Sequence, residues 1–479
     1  MQAAFPERTD VQNSPRVSRL HGLDALRGVA AVLVVLLHAG IPYMSNPFPH
    51  LVWPARDAQP CDYVDALTWC SEGFLMPLFF VLAGFFAQMQ LCARGERCFL
   101  AARTRRLLYT QFTAGLAILP ICLWIWVLGW MAEGRFIPKD ILLNDIPTEL
   151  NDDLWGTAHI WFLQNLYIYS LLLCGIHCWA RRLHPRHSER VSRLMRVIDG
   201  TSMSALKPLL PVIPGALILY HDPRIVLGFY QSFFPIISKL AYYAIYFFLG
   251  ATLNRNGEAL ARLAQYGKTY LLVAGVLFAA ALPRICEHVA SPLSGVPLAS
   301  LAGLLALFAS FATFGLIAMF VRLVPSGNAV TRYLADASFW VYLIHLPMVV
   351  LIQIDMVKLP VPTFVKFLLT GFGALSLALV TYHMFVRTTW LGEFLNGQRV
   401  PRLALPVPAL PVPTLPVPAL AVPGLPAAVL PVPVLTGVGL PSMGTAAEVP
   451  APWLAVIPRD HRTSSRAKPH GTHSLGGTT

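Results

Sequence analysis

Charged residues are scarce in this sequence, since Asp, Glu, Lys and Arg make up only 13% of its 479 residues. Roughly a quarter is typical of a soluble domain. Hydrophobic residues reach 56%, the mean hydropathy is +0.58, and apolar runs of about twenty residues recur along the chain. Length alone would suggest about three soluble domains. The apolar runs instead predict an all-α, polytopic membrane protein folded as one helical bundle.

Several short catalytic motifs are missing as well. The sequence contains no G-x-S-x-G, no P-loop and no H-E-x-x-H, so a serine hydrolase, an ATPase or a zinc protease has no support. The eight cysteines form no C-x-x-C pair and no Cys/His spacing suited to zinc, and we expect no metal site. Cys61 and Cys70 fall in one predicted loop, where a disulfide is conceivable but two free thiols are favoured.

Acidic residues are fewer than basic ones, which gives a net charge of +12. The basic residues are not confined to one face, as they would be in a nucleic-acid-binding protein. They cluster in alternate predicted loops, at 92–106 and 181–196, whereas the loop at 131–157 is acidic. The positive-inside rule therefore predicts that both termini lie in the cytoplasm, and no nucleic-acid partner is expected.

Ten apolar segments are predicted to span the membrane. They lie at about 22–43, 73–91, 107–130, 158–180, 205–221, 234–253, 269–289, 297–321, 333–355 and 363–386. The fifth is the weakest because it is short and rich in proline. Gly84 in the second should allow another helix to approach closely. The predicted domains are a cytoplasmic tail over 1–20, a membrane domain over 21–396 and a Pro-rich, disordered tail over 397–479.

The first predicted span carries three ionisable residues, Asp24, Arg27 and His38, which are expensive in lipid. Arg27 and His38 are about three helical turns apart, which places both on one face, about 16 Å from each other along the axis. Asp24 lies three positions before Arg27 and can pair with it, so His38 is left as the unpaired polar group. Intramembrane ionisable groups usually mark function. The alternative is a signal-anchor helix whose polar residues face its neighbours.

The combination of an intramembrane histidine and an arginine-rich cytoplasmic loop indicates group transfer. An imidazole can act as a base toward a hydroxyl group, and guanidinium groups can bind a phosphorylated donor. Further candidates in or beside predicted spans are Glu72, His159, Trp161, Lys239, Tyr342 and His345. An ordinary interfacial carboxylate is the favoured interpretation of Glu72. For Tyr342 and His345, packing and function are equally supported.

Five patterns, spread over about residues 20–396, resemble the acyltransferase-3 family of ten-span membrane acyltransferases. They are Asp24-x-x-Arg27-x10-His38, Phe79-Phe80-Val81-Leu82-Ala83-Gly84-Phe85, Arg103-x-x-Arg106-Leu107, His159-x-Trp161-Phe162-Leu163 and Ser338-Phe339-Trp340-Val341-Tyr342-Leu343-Ile344-His345-Leu346-Pro347. Within the family, the runs 76–80 and 387–397 resemble the glucans biosynthesis protein C group, which is implicated in succinylating periplasmic glucans.

The resemblance implies an O-acyltransferase of the bacterial inner membrane. It would move an acetyl-class or succinyl-class group from cytoplasmic acyl-CoA to a hydroxyl of an envelope or periplasmic glycan. Acyl-CoA would be a co-substrate rather than a bound cofactor, and membrane lipid would surround the protein. The implied roles are catalysis by His38, Arg27 and Asp24, donor binding by Arg103, Arg105 and Arg106, and an acceptor side formed by His159, Trp161, Glu72, Tyr342 and His345.

The sequence departs from the family at two places. Ala83 stands where many members have serine, and the Pro-rich tail stands where some members carry an extracytoplasmic hydrolase-like domain. We expect this chain to perform the membrane step without a fused partner, which leaves a role for a separate periplasmic protein. The main alternative is a proton-coupled transporter, because polar groups in spans also mark transport routes. A scaffold that presents the tail would not explain the first span.

The tail is expected to be dispensable for catalysis. Its Leu-Pro-Val-Pro units, from Leu405 onward, place proline too often for a helix and favour polyproline II. Truncation after Gly397 should leave turnover within a few-fold of that of the full chain, because no helix is lost from the bundle. The check is specific activity at matched expression, and a collapse of that activity would contradict the prediction.

Overall fold

The structure is a computed structural model that describes residues 20–135, 156–182, 201–229, 232–254 and 257–396. Regular secondary structure in these ranges is entirely helical, as predicted. The helices are α1 (His21–Gly40), α2 (Asp62–Arg103), α3 (Tyr109–Ala132), α4 (Trp161–Arg182), α5 (Val212–His221), α6 (Arg224–Leu227), α7 (Ile237–Leu253), α8 (Gly257–Leu263), α9 (Gly267–Ala290), α10 (Gly295–Leu323), α11 (Ala329–Met356), α12 (Thr363–Thr381) and α13 (Trp390–Asn396). Short 3-10 segments occupy Ile41–Tyr43, Ala158–Ile160, Thr201–Leu209 and Ala264–Tyr266, and π-helical turns occupy Thr104–Leu108 and Tyr382–Val386.

The described residues contain seven helical segments that are long and apolar enough to cross a membrane. They are His21–Tyr43, Asp62–Ala132, Ala158–Arg182, Leu260–Ala290, Gly295–Leu323, Ala329–Met356 and Thr363–Val386. The segment Asp62–Ala132 contains two predicted spans, the second and third. Two shorter apolar segments, Ala205–His221 and Ile237–Leu253, correspond to the fifth and sixth. The chain is therefore a polytopic membrane protein. Ten crossings and cytoplasmic termini stay predictions, and the tails at 1–19 and 397–479 lie outside the described residues.

Two predicted loops are partly or wholly helical. The loop expected over 45–71 ends early, because α2 begins at Asp62. Carboxylates in the first turn, at Asp62 and Asp65, favour a helix start, and the buried Val64 and Thr68 supply a helical periodicity. The basic segment 92–106 is also helical. It is interrupted only at Gly95, whose φ of 72° suits a residue without Cβ.

Helix α1 lies in the interior of the bundle, in contact with α2, α10, α11 and α12. Close approach is possible because Gly22 faces the backbone of α10 and Gly28 faces that of α11. A helix surrounded by protein can carry charged and polar side chains that would be costly against lipid. Its position therefore explains how Arg27 and His38 are accommodated.

The loop 44–61, which follows α1 and its 3-10 turn, is tied to the last two long helices. Lys366 on α12 forms a buried ion pair with Asp57 at 2.6 Å, and Trp53 Nε1 donates a hydrogen bond of 2.8 Å to Gln353 on α11. A buried ion pair needs both partners, because a lone charge there would be strongly destabilising. These contacts hold the Trp53 ring 6.2 Å from that of His38, measured between ring centroids.

Helices α2 and α7 touch backbone to backbone, as Gly84 predicted. A Cβ added at Gly84 would overlap the carbonyl oxygen of Phe247, and one added at Gly250 would overlap that of Val81. The absence of side chains at these two positions therefore sets how close the helices come.

Gly84→Ala and Gly250→Ala should each lower the free energy of unfolding by about 1–3 kcal/mol, because the added methyl group forces the two backbones apart. Thermal unfolding of the purified protein in detergent measures the effect. Gly275→Ala on α9 is the control, since a Cβ there meets nothing within 4 Å. Equal destabilisation by all three substitutions would show that helix contact is not the cause.

Candidate active site

A cavity of about 310 Å³ lies inside the bundle, with walls formed by α1, α2, α3, α4, α7 and α11 and by the loop 44–61. This volume is within the range of small-molecule sites. The polar and charged residues in its wall are Arg27, His38, Glu72, Gln90, Arg103, Arg106, His159, Lys239, Ser338, Tyr342 and His345. The fold therefore brings most of the sequence-predicted site residues to one cavity.

His38 is held in one orientation and one tautomer. Its Nδ1 lies 2.9 Å from the carbonyl oxygen of Val34. Because a carbonyl only accepts hydrogen bonds, Nδ1 must carry the proton, and in the neutral ring Nε2 carries a lone pair. The Gln353 side chain donates to the carbonyl oxygens of His38 and Ala39, at 2.9 and 3.2 Å, and fixes the end of α1. His38 thus presents a basic nitrogen from a rigid element.

Two further histidines stand beside His38. The ring centroid of His345 is 4.9 Å from that of His38, and His159 is 5.2 Å from His345. Each is anchored on α11, since His345 Nδ1 lies 2.8 Å from the Tyr342 carbonyl and His159 Nε2 lies 2.9 Å from that of Leu343. Their other ring nitrogens are buried and have no hydrogen-bond partner among the described residues.

Three guanidinium groups line the cavity toward the other end of α1. Arg27 pairs with Asp24 at 3.4 Å and donates to the carbonyl oxygen of Ala335 at 2.9 Å. Arg103 is buried, and its Nε has no hydrogen-bond partner in the described structure. Arg106 follows three positions later, near the same face. This wall can bind an anion, while Asp24 itself stands behind Arg27 and outside the cavity wall.

Arg105 does not join the other arginines. It is exposed, its guanidinium lies 5.8 Å from the centre of the Phe394 ring, and it faces away from the cavity. The π-helical turn over Thr104–Leu108 contains both Arg105 and Arg106 but directs them to different sides. The three arginines expected to act together are thus divided.

Another part of the cavity wall contains a charged and aromatic cluster. Lys239 Nζ lies 3.8 Å from the centre of the Trp161 ring, which in turn stacks on Tyr243 at 5.6 Å. Glu72 is close enough to Lys239 for their charges to interact. Lys239 is recognisable in the sequence as a charged residue within an apolar run. Its role could not be predicted, because its partners Trp161 and Glu72 lie on other helices.

Gln353 and Trp53 are the other contributors that sequence reasoning missed. Gln353 could have been noticed as an uncharged polar residue within an apolar span. Its side chain is fully buried. Trp53 lies in a loop without periodicity, so nothing in the sequence predicted that it lines the cavity.

The cavity combines a wall of guanidinium groups with a histidine whose lone pair is free to take a proton. Transfer of a group from an anionic donor to a hydroxyl needs both features. Over the residues that the structure describes, no three His, Cys, Asp or Glu side chains are placed so that they could hold a metal ion.

Comparisons with known proteins agree with this chemistry. The acyltransferase domain that defines the acyltransferase-3 family matches residues 20–383. The chain is also similar to the glucans biosynthesis protein C of Salmonella schwarzengrund, with 22% identity over 407 residues, and to that of Salmonella paratyphi B, with 21% over 404. Each match covers 79% of this chain and 95% of the relative. No solved structure matches the chain. The protein is therefore an acyltransferase, and it belongs to the acyltransferase-3 family of membrane enzymes.

Proposed function

We propose that this enzyme transfers an acetyl-class or succinyl-class group from cytoplasmic acyl-CoA to a hydroxyl of an envelope or periplasmic glycan, in the inner membrane of a bacterium. The observation that carries the proposal is the single cavity that joins the guanidinium groups of Arg27, Arg103 and Arg106 to the lone pair of His38. The relatives named for glucan biosynthesis support a glycan as the acceptor.

The arginine wall is proposed to bind the phosphates of the donor. Charged hydrogen bonds from guanidinium to phosphate are strong and directional, and the unpartnered Nε of Arg103 supports an anionic ligand. Arg27 lies about 16 Å from His38 along the axis of α1, by the rise of the helix. It is therefore too far away to stabilise charge at the reacting carbonyl, and we assign it to orienting the donor.

The chemical step takes place at His38. Nε2 removes the proton from the acceptor hydroxyl while its oxygen attacks the thioester carbonyl, and the tetrahedral intermediate then expels the CoA thiolate. The imidazolium returns its proton to that thiolate, so the products are an ester and free CoA. The Val34 carbonyl holds Nδ1–H throughout and stabilises the imidazolium.

The competing interpretation, a proton-coupled transporter, predicts no chemistry on the donor. Purified protein given radiolabelled acyl-CoA and a glycan should release free thiol and form labelled ester in equal amounts. Uptake of label into vesicles without thiol release would instead support transport and overturn the proposal.

His38→Ala should reduce transfer by at least about a hundredfold, which is the lower range for loss of a general base. Membrane insertion and the unfolding temperature should be unchanged. His221→Ala is the matched control, because that histidine is exposed at the end of α5 and lies outside the cavity. Substantial activity in correctly inserted His38→Ala protein would exclude His38 as the base.

Arg103→Gln and Arg106→Gln should each raise the KM for acyl-CoA by roughly ten- to a hundredfold, since each removes a charged hydrogen-bonding partner of phosphate. The kcat and the KM for the acceptor should change little. Steady-state kinetics with each substrate varied in turn gives these constants.

Arg105→Gln and Arg94→Gln are the controls for this prediction. Both residues belong to the same basic segment, both are exposed and neither lines the cavity. If either control weakens acyl-CoA use as much as Arg106→Gln, then the segment acts through its bulk charge and no specific donor site exists.

A further inference from the structure

We infer that His345 Nε2 and His159 Nδ1 accept hydrogen bonds from the hydroxyl groups of the glycan acceptor that neighbour the reacting one. The observation is two buried ring nitrogens in the cavity wall that lack a partner among the described residues. The inference rests on the proposed function, which supplies a hydroxyl acceptor at His38, and it adds the chemistry by which that acceptor is selected.

The hydrogen bonds of the two rings fix what the other nitrogens can do. The carbonyls of Tyr342 and Leu343 accept only, so the nitrogens that face them carry the protons. A neutral imidazole has a single N–H, so His345 Nε2 and His159 Nδ1 each present a lone pair. Both rings are buried, with exposed fractions of 0% and 8%. A buried hydrogen-bond acceptor without a donor is unfavourable, so we expect these two atoms to bind a ligand that donates hydrogen bonds to them.

The three histidines cannot satisfy one another. His38 Nε2, His345 Nε2 and His159 Nδ1 are all acceptors in the neutral rings, and no hydrogen joins them. A neighbouring donor, the Tyr342 hydroxyl, is already engaged with the carbonyl oxygen of His159 at 2.7 Å. A metal ion would also bind lone pairs, but the described side chains form no group of three suited to one. Hydroxyl hydrogens of the substrate are the donors that fit.

The spacing of the rings matches neighbouring hydroxyl groups rather than a single one. His345 lies 4.9 Å from His38 between ring centroids, so a molecule bound at His38 can reach His345 with an adjacent hydroxyl group. His159, 5.2 Å beyond, can accept from a third group. An alcohol with one hydroxyl would leave both nitrogens buried and unpaired, and a site built this way discriminates against such a molecule.

The test compares acceptors that differ by one hydroxyl. Full-length enzyme in detergent is given succinyl-CoA with methyl glucoside or with each of its monodeoxy analogues, and ester formation is measured. Loss of the reacting hydroxyl should abolish transfer. Loss of one neighbouring hydroxyl should lower kcat/KM by about tenfold in the unmodified enzyme, as expected for one hydrogen bond whose partner is then left buried.

A matched pair of variants assigns that loss to His345. His345→Asn can still donate to the Tyr342 carbonyl but is too short to place an acceptor at the Nε2 position. Its preference, which is the ratio of kcat/KM for the intact sugar to kcat/KM for the deoxy analogue, should therefore fall to about one. His345→Gln carries an amide oxygen near that position and should keep a preference. Because each preference is a ratio within one variant, the amount of folded protein cancels.

Three results would overturn the inference. The unmodified enzyme could use the neighbouring deoxy analogues as well as the intact sugar, or His345→Asn could keep the full preference. Loss of transfer to every acceptor in both variants would assign His345 to chemistry or folding instead of recognition. If the unmodified enzyme esterifies no hydroxyl compound at all, the proposed function itself fails, which is a distinguishable result.

Discussion

Every ionisable side chain inside the bundle must be sheltered from lipid, and the arrangement of the helices follows from that requirement. The fold meets it by placing α1 among four other long helices, so that Arg27 and His38 face the cavity inside the bundle. The anchoring groups are main-chain carbonyls, those of Val34, Ala335 and Leu343 among them. A carbonyl has two lone pairs and a helix uses one of them. Main-chain carbonyls therefore orient most of the active-site residues, and the side chains of Asp24 and Gln353 assist at Arg27 and at the end of α1.

The cavity separates two tasks along the length of α1. The guanidinium groups gather at one end and the imidazoles further along, about three turns away. Binding energy from the charged part of a donor can thus be used at a distance from the reacting carbonyl, as is general when a remote group of the substrate positions the reacting one. The loop 44–61 closes the far side with Trp53, and the buried Lys366–Asp57 pair keeps this loop in place.

Local periodicity predicted the parts of this arrangement that lie within one helix. The pairing of Asp24 with Arg27, the shared face of Arg27 and His38, and the glycine contact of α2 were all readable from spacing along the chain. Helical segments also overlap all ten apolar runs, but the ends of the runs did not reveal that α2 starts at Asp62, because its first turns lie outside the apolar stretch.

The contacts between distant helices could not be predicted in the same way. His159 meets Leu343 across 184 positions, and no sequence pattern reports such a pairing. Lys239 lies over Trp161 for a similar reason, since each residue is uninformative until the other is placed beside it. Arg105 and Arg106 are divided because consecutive residues of a helix point about 100° apart, and a cluster of arginines in the sequence does not show which of them faces the cavity.

The glycine contact between α2 and α7 has a consequence beyond stability. The neighbouring pairs Phe80 with Tyr243 and Gly84 with Phe247 advance along both helices together, so the two helices run parallel. Glu72 and Lys239 lie about three turns before the crossing, each on its own helix. The crossing therefore resists sliding of the two helices, and a shift of one turn would move Glu72 by about 5.4 Å relative to Lys239. Gly84 and Gly250 thereby fix the relative position of two charged residues in the cavity wall, although neither glycine lines the cavity.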